Sequence, residues 1–253
     1  MEKLNAIIVV LFVSLMSFTV SAQDVTVDEI LEGYFENTGG KDAWMNLKGI
    51  KMTAKVNQGG MEIPLEIVQL SDGRQYTKFN VQGTDFYQQV YDGETLWGIN
   101  FQSMQAEKSD KEATDNFKLE INDFPDPFLD YKKKGYTVEL VGTETIDGAE
   151  TYKVKLTKEP RTIDGKEVED VSYYFFDTEA FVPLAQETTI KQGPGAGQIG
   201  QSTMSDYQEV NGLYFPFSIT QGVKGGASQP LMIESIETDP EVDASVFAFK
   251  GGN

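Results

Sequence analysis

From Lys48 onward, apolar and polar positions alternate with a period of two. Ile50, Met52, Ala54 and Val56 alternate with Lys51, Thr53 and Lys55; Met61, Ile63, Leu65 and Ile67 alternate with Glu62, Pro64, Glu66 and Val68. This pattern predicts strands with one buried face. Similar runs occupy 74–82, 85–91, 95–101, 136–142, 150–158, 169–176, 181–190, 201–210, 213–221 and 231–237, giving about a dozen strands. Asp72-Gly73, Asp92-Gly93, Asp147-Gly148, Asp164-Gly165 and Asn211-Gly212 supply the positive φ angles of hairpin turns, so neighbouring strands are predicted to run antiparallel. Upstream the period is helical. Thr26-Val27-Asp28-Glu29 fits a capping box, Ile30, Leu31, Tyr34 and Phe35 share one helical face, and Asn37-Thr38-Gly39-Gly40 stops the helix. A second short helix carries Ala43, Trp44 and Leu47. Alternation lapses between Ser109 and Lys134, where Asp126-Pro127 reads as the N-cap and first residue of a short helix bearing Phe128, Leu129 and Tyr131. Asp239-Pro240 opens a last turn before Val246, Phe247 and Phe249.

A single sheet of this size with an apolar face must curl or be covered, and only a few short helices are available to cover it. Two solutions exist: a tight closure around the sheet's own side chains, or a gutter whose mouth the helices plug. The second leaves a concave apolar groove suited to a hydrophobic guest. No Pro/Ser-rich linker or compositional break divides the chain, so one domain is expected after the leader.

Residues 1–22 read as that leader: Lys3, an apolar stretch from Ala6 to Val13 continuing through Leu15, Met16 and Phe18, then Val20-Ser21-Ala22 as a cleavage signal. Ser14, Ser17 and Thr19 interrupt the run, which falls short of the roughly 20 apolar residues of a membrane span. A mature chain starting at Gln23, without an N-terminal lipid or a stable span and located outside the cytoplasm, is the expectation.

Composition narrows the chemistry. The 253 residues carry 40 acidic and 21 basic side chains, a formal charge of -19, and neither histidine nor cysteine. Catalytic triads, His/Cys zinc cages, histidine-ligated haem and disulfides are thereby excluded. The acidic excess repels a phosphate backbone, so no nucleic-acid partner is expected. Lys132-Lys133-Lys134, the basic cluster, reads as a solvated helix end. Gly195-Ala196-Gly197-Gln198-Ile199-Gly200 matches GxGxxG, but strand-like residues flank it on both sides and no βαβ unit surrounds it, so it is read as a hairpin loop. A carboxylate pair of the glycosidase kind remains open, as does oxygen-ligated calcium near Asp123, Asp126 and Asp130, although no EF-hand spacing occurs. Trp97 and the aromatic residues of 173–176 are by default sheet core.

Two motifs carry a family resemblance. Val90-Tyr91-Asp92-Gly93-Glu94-Thr95-Leu96-Trp97 resembles the Val-x-Asp-Gly-x-x-Leu-Trp strand-turn-strand of the periplasmic LolA-type lipoprotein carriers and their LolB and LolA-like relatives. Val242-Asp243-Ala244-Ser245-Val246-Phe247-Ala248-Phe249 resembles their closing pattern, and the order of elements agrees. The resemblance implies an incomplete antiparallel β-barrel, mainly β with about 11–13 strands, whose short helices form a lid over the concave face. It implies a non-enzymatic, cofactor-free carrier of lipoprotein acyl chains or other lipids, with inner- and outer-membrane transport components as partners. Shielding one long acyl chain removes a cost on the order of 10 kcal/mol, at roughly 0.8 kcal/mol per methylene. The family's lid-latching strand arginine corresponds most closely to Arg74, although Gln75 stands where the family has proline. Gly142 to Leu156 and Tyr207 to Phe217 look more like uncharacterised LolA-like proteins than the dedicated carrier, leaving the cargo open.

If the apolar faces point inward, Ile50, Met52, Ile63, Leu65, Phe79, Trp97, Ile99, Val138, Leu140, Val154, Phe215 and Phe217 line the cavity, with Phe128 and Leu129 on the lid. A one-residue register error moves a strand's whole set to the other face. The alternatives are a structural or interaction module filled by its own side chains, and an acid-based glycan hydrolase.

Overall fold

The computed structural model describes residues 25–251; the expected leader, 1–22, lies outside them. Helices α1 (Val27–Asn37) and α2 (Lys41–Asn46) lead into strands β1 (Gly49–Gln58), β2 (Met61–Leu70), β3 (Gln75–Val81), β4 (Thr84–Tyr91), β5 (Leu96–Asn100) and β6 (Gln105–Lys108). Helix α3 (Lys111–Ile121) follows. Strands β7 (Thr137–Ile146), β8 (Ala149–Ile163), β9 (Lys166–Asp177), β10 (Pro183–Thr189), β11 (Ile199–Val210), β12 (Leu213–Val223) and β13 (Ser228–Thr238) complete the sheet, and a 3-10 turn spans Ala244–Val246. All thirteen strands form one antiparallel sheet in the order β6-β5-β4-β3-β2-β1-β13-β12-β11-β10-β9-β8-β7. Two meanders, split by the non-strand stretch after β6, are joined where β13 returns to β1. The outer strands β6 and β7 do not pair with each other, so the barrel is incomplete.

The α1 start has the predicted box: the Glu29 amide donates to Thr26 Oγ1 at 3.2 Å, and the Thr26 amide to Glu29 Oε2 at 2.7 Å. The helix predicted after Asp126 is displaced. It forms earlier, at α3, where Asp110 caps the Ala113 amide. The 126–135 segment is instead a series of turns, with the Asp126 carboxylate accepting from the Phe128 amide at 2.8 Å and Asp130 at a φ of 51°. Asp126 thus bonds two residues along, an alternative that Asp offers in competition with a helix start.

Curling brings the two meanders face to face. Leu65 and Phe79 from the first and Val138, Val154 and Phe215 from the second belong to one apolar cluster with Ile30, Leu31, Tyr34 and Phe35 of α1. Helix α3 clips the open seam: its Phe117 packs with Tyr91 and Leu96, while Asn116 exchanges two hydrogen bonds with Thr162 and Glu120 pairs with Arg161.

The turn between α1 and α2 anchors both to the sheet. Gly39 has a φ of 114°, and a Cβ there would lie 2.0 Å from the Gly212 carbonyl oxygen; next to it the Tyr214 amide donates to the Thr38 carbonyl at 3.1 Å. Gly40, with a φ of 93°, faces open space. Gly40→Ala is therefore expected to lose about 1–3 kcal/mol of stability from backbone strain, and Gly39→Ala more, because strain and collision add. Urea denaturation midpoints of the two variants test this; equal losses would show that α1 and α2 are not held so closely at Gly212.

Candidate functional site

The inner face of the sheet is built in rows. On one row Ile233 of β13 pairs with Ala54, Ala54 with Leu65, Leu65 with Phe79, and Phe79 with Phe86. A second row, nearer the strand tips, runs Ile219, Leu231, Val56 and Ile63. Across the seam Val138 pairs with Leu156, and Leu140 with Val154, which pairs in turn with Tyr174. Aliphatic and aromatic side chains on a curled sheet thus give an apolar trough.

Its covering is uneven. Ile30, Leu31, Tyr34 and Phe35 of α1, Trp44 of α2, and Phe128 and Leu129 of the turn segment sink into one end. Phe128 sits edge-on to Tyr174 and Phe176, with ring centroids 4.7 and 5.4 Å away. Beyond this plug, Met52, Val56, Phe79, Phe217, Ile219 and Leu231 touch the core but stay half-exposed. A groove of about 510 Å³ separates α1 from the turn, floored by Leu31, Phe35, Phe128 and Tyr131 and rimmed by acids and lysines.

Polar ties fasten the plug to itself. The Tyr34 hydroxyl donates to Asp126 Oδ2 at 2.8 Å in a buried setting. Burial pushes the Asp126 carboxyl up to about 6, against the lowering pull of the Tyr34 and Phe128 hydrogen bonds, and the same burial, with Asp126 beside it, raises Tyr34. Nearer solvent, Tyr131 and Lys132 both donate to Asp28, and those hydrogen bonds hold Asp28 below the usual carboxylate range. Lys41 of α2 reaches Asp130 at 3.3 Å.

The sequence matches no protein-family model and no curated protein. Solved structures do match. A LolA superfamily protein from Nitrosomonas europaea superposes with a TM-score of 0.53 at 14% identity, over 88% of this chain and 98% of its own. A DUF1329 family protein from Desulfovibrio piger gives 0.51 at 15% identity, over 87% and 97%. The chain has a LolA-like fold.

Within the LolA-like sheet, Ile50, Leu65, Val138, Val154 and Phe215 lie buried in the trough cluster, with Met52, Phe79, Leu140 and Phe217 at its half-exposed margin. Ile63 shares that face through its pairing with Val56. Phe128 and Leu129, 3% and 6% exposed, point inward from the turn rather than from a helix. Trp97 and Ile99 are misplaced by the sequence reading. Gln89 takes a φ of 50° where the β3–β4 register slips, so the face reverses along β4: Phe86 is inward, yet Val90, the partner of Trp97, is outward. Trp97 instead joins Val68, Tyr76, Val90 and Phe247 in a separate cluster on the outer face. Its indole N–H donates to the Phe247 carbonyl at 2.9 Å, and its ring lies 6.0 Å from that of Phe249. The two motifs behind the family resemblance are therefore one packed unit.

Arg74 is a second correction. Its guanidinium pairs with Asp72 at 2.8 Å and sits 5.0 Å over the Phe247 ring, at that outer-face unit. The polar tie at the lid is Tyr34 with Asp126, a pair the sequence reading did not join. Tyr34 was legible only as part of an apolar stripe, and 92 residues separate the two. The acids considered for calcium serve different partners: Asp123 takes Tyr136 and Lys158, Asp126 takes Tyr34, and Asp130 takes Lys41 and Lys133. Among the described residues no metal-holding group of acids occurs.

The raised Asp126 carboxyl fixes a sign. A group protonated more readily when folded stabilises the protein fully below its unfolded value of 3.8, and that contribution is lost as pH rises through about 6. A shift of this size corresponds to about 3 kcal/mol. Asp126→Asn removes it, so the variant is expected to gain stability relative to the native chain between pH 4 and 7. Denaturation midpoints across that range measure it; a constant difference between the two proteins would contradict the assignment.

Proposed function

We propose that the protein is an exported, non-enzymatic periplasmic carrier. It holds the acyl chains of lipoproteins, or other lipids, in the trough and contributes to outer-membrane lipoprotein sorting. The reading treats residues 1–22 as a cleaved leader and 23–253 as one domain. The observation that carries it is the half-covered inner face: beyond the plug, Val56, Phe79, Phe217, Ile219 and Leu231 stay half-exposed against the apolar cluster. Large apolar concavities bordered by polar rims mark ligand sites. The plug is two short segments that add no strand to the sheet, held by side-chain ties and by the Thr38–Tyr214 backbone bond, so it can lift once these part while the sheet stays whole. No helix among the described residues is long and apolar enough to cross a membrane.

A self-filled interaction module is the second reading. It is favoured by the depth of the plug, where Ile30 is 0% and Phe128 3% exposed. The two readings part on ligand binding. The chain from Gln23, purified without detergent, is expected to retain lipid in native mass spectrometry and, once delipidated, to bind cis-parinaric acid saturably. Val56→Glu, at the half-exposed margin, is expected to weaken that binding at least about tenfold while changing stability by about 1 kcal/mol or less, since the new charge still reaches water. Neither retained lipid nor saturable binding would sink the carrier and leave the module.

A further inference from the structure

The inner-face row does not end inside the molecule. Ala54 and Leu65 are 1% and 8% exposed, Phe79 and Phe86 are intermediate, and Phe101, in the turn linking β5 to β6, is 61% exposed. Phe79 pairs directly with Phe86, whose ring centroid lies 6.0 Å from that of Phe101. The turn is built to hold this ring outward: Asn100 Oδ1 accepts from the Gln102 and Ser103 amides, and the Ser103 hydroxyl donates to Glu107. Met104, 56% exposed, stands beside it. A lone exposed phenylalanine is ordinary. A row of apolar residues in register from solvent to the centre of the trough is not.

The plugged end offers a different approach. A chain entering beneath α1 must first part Tyr34 from Asp126, Asp28 from Tyr131 and Lys132, and Lys41 from Asp130. It would then pass a buried carboxylate. Along the phenylalanine file the Glu107 carboxylate at the solvent side is taken up by Asn100 and Ser103, and each advance of an alkyl chain exchanges water for apolar contact.

We propose that a long alkyl chain enters the trough sideways, at the β5–β6 edge of the sheet, along Phe101, Phe86 and Phe79. The proposal rests on the carrier reading and adds to it the route and the residues that set its rate. An entrance lies on the path and outside the final seat, so damage there slows entry and exit alike and leaves the equilibrium nearly unchanged.

Stopped-flow mixing of the delipidated chain with cis-parinaric acid tests this. Phe101→Asp is at the surface and is expected to lower the association and dissociation rates together, about tenfold, with Kd within about twofold. Phe86→Ser is expected to slow association in the same direction, with an unchanged circular dichroism spectrum. Two results would overturn the route: an unchanged association rate in Phe101→Asp, or a loss confined to Kd through faster dissociation. Absence of binding by the native chain would remove the carrier reading itself, and the route with it.

Discussion

A thirteen-stranded sheet whose apolar inner face is wider than its own cover is the constraint from which the rest of the molecule follows. Strands give the face and the curl brings its two halves together, but α1, α2 and the 126–135 turns plug only one end. The hydrophobic effect leaves three outcomes for such a face: burial by the chain itself, burial by a guest, or association with something else. Here the first is half completed. The outer face, by contrast, is finished where the C-terminal segment lays Phe247 and Phe249 against Trp97 and Tyr76. Cover is complete on one side of the sheet and partial on the other.

The partial cover is held by a small polar device. Tyr34 and Asp126 are both buried, and among the described residues the carboxylate accepts hydrogen bonds from the tyrosine hydroxyl and the Phe128 amide, with the Lys134 charge nearby, in place of lost water. A charge in that position is costly and its partners matter more than they would at the surface. The tie therefore orients the plug firmly while adding little net stability. The exposed ties from Asp28 to Lys132 and from Lys41 to Asp130 steer the turn and contribute less, because water screens them.

Much of this was legible in the sequence because alternation of period two survives in most strands. The α1 capping box, the Asp-Gly and Asn-Gly turns and the inward residues of β1, β2, β7, β8 and β12 followed from pattern alone. What escaped did so for physical reasons. A bulge at Gln89 is invisible in an apolar count, yet it turns β4 over and carries Trp97 and Ile99 to the outer face. Asp126-Pro127 is an equally good start for a helix or a turn, and tertiary packing of Phe128 and Leu129 decided for the turn. Arg74 could be matched to a family position, but its real partners, Asp72 and Phe247, depended on where the chain end lands. The phenylalanine file needed the register of five consecutive elements.

The claim beneath all of this is that the plug opens while the sheet remains folded. Native-state hydrogen exchange measures it directly, since sub-global openings appear as amides that exchange below the free energy of global unfolding. The account predicts that amides of α1 and the 126–135 turns exchange through an opening several kcal/mol cheaper than that of the β1–β2 and β8–β9 amides, and that a bound long-chain fatty acid shifts the first group while barely moving the second. Exchange of α1 only through global unfolding, with the same free energy as the central strands, would contradict it.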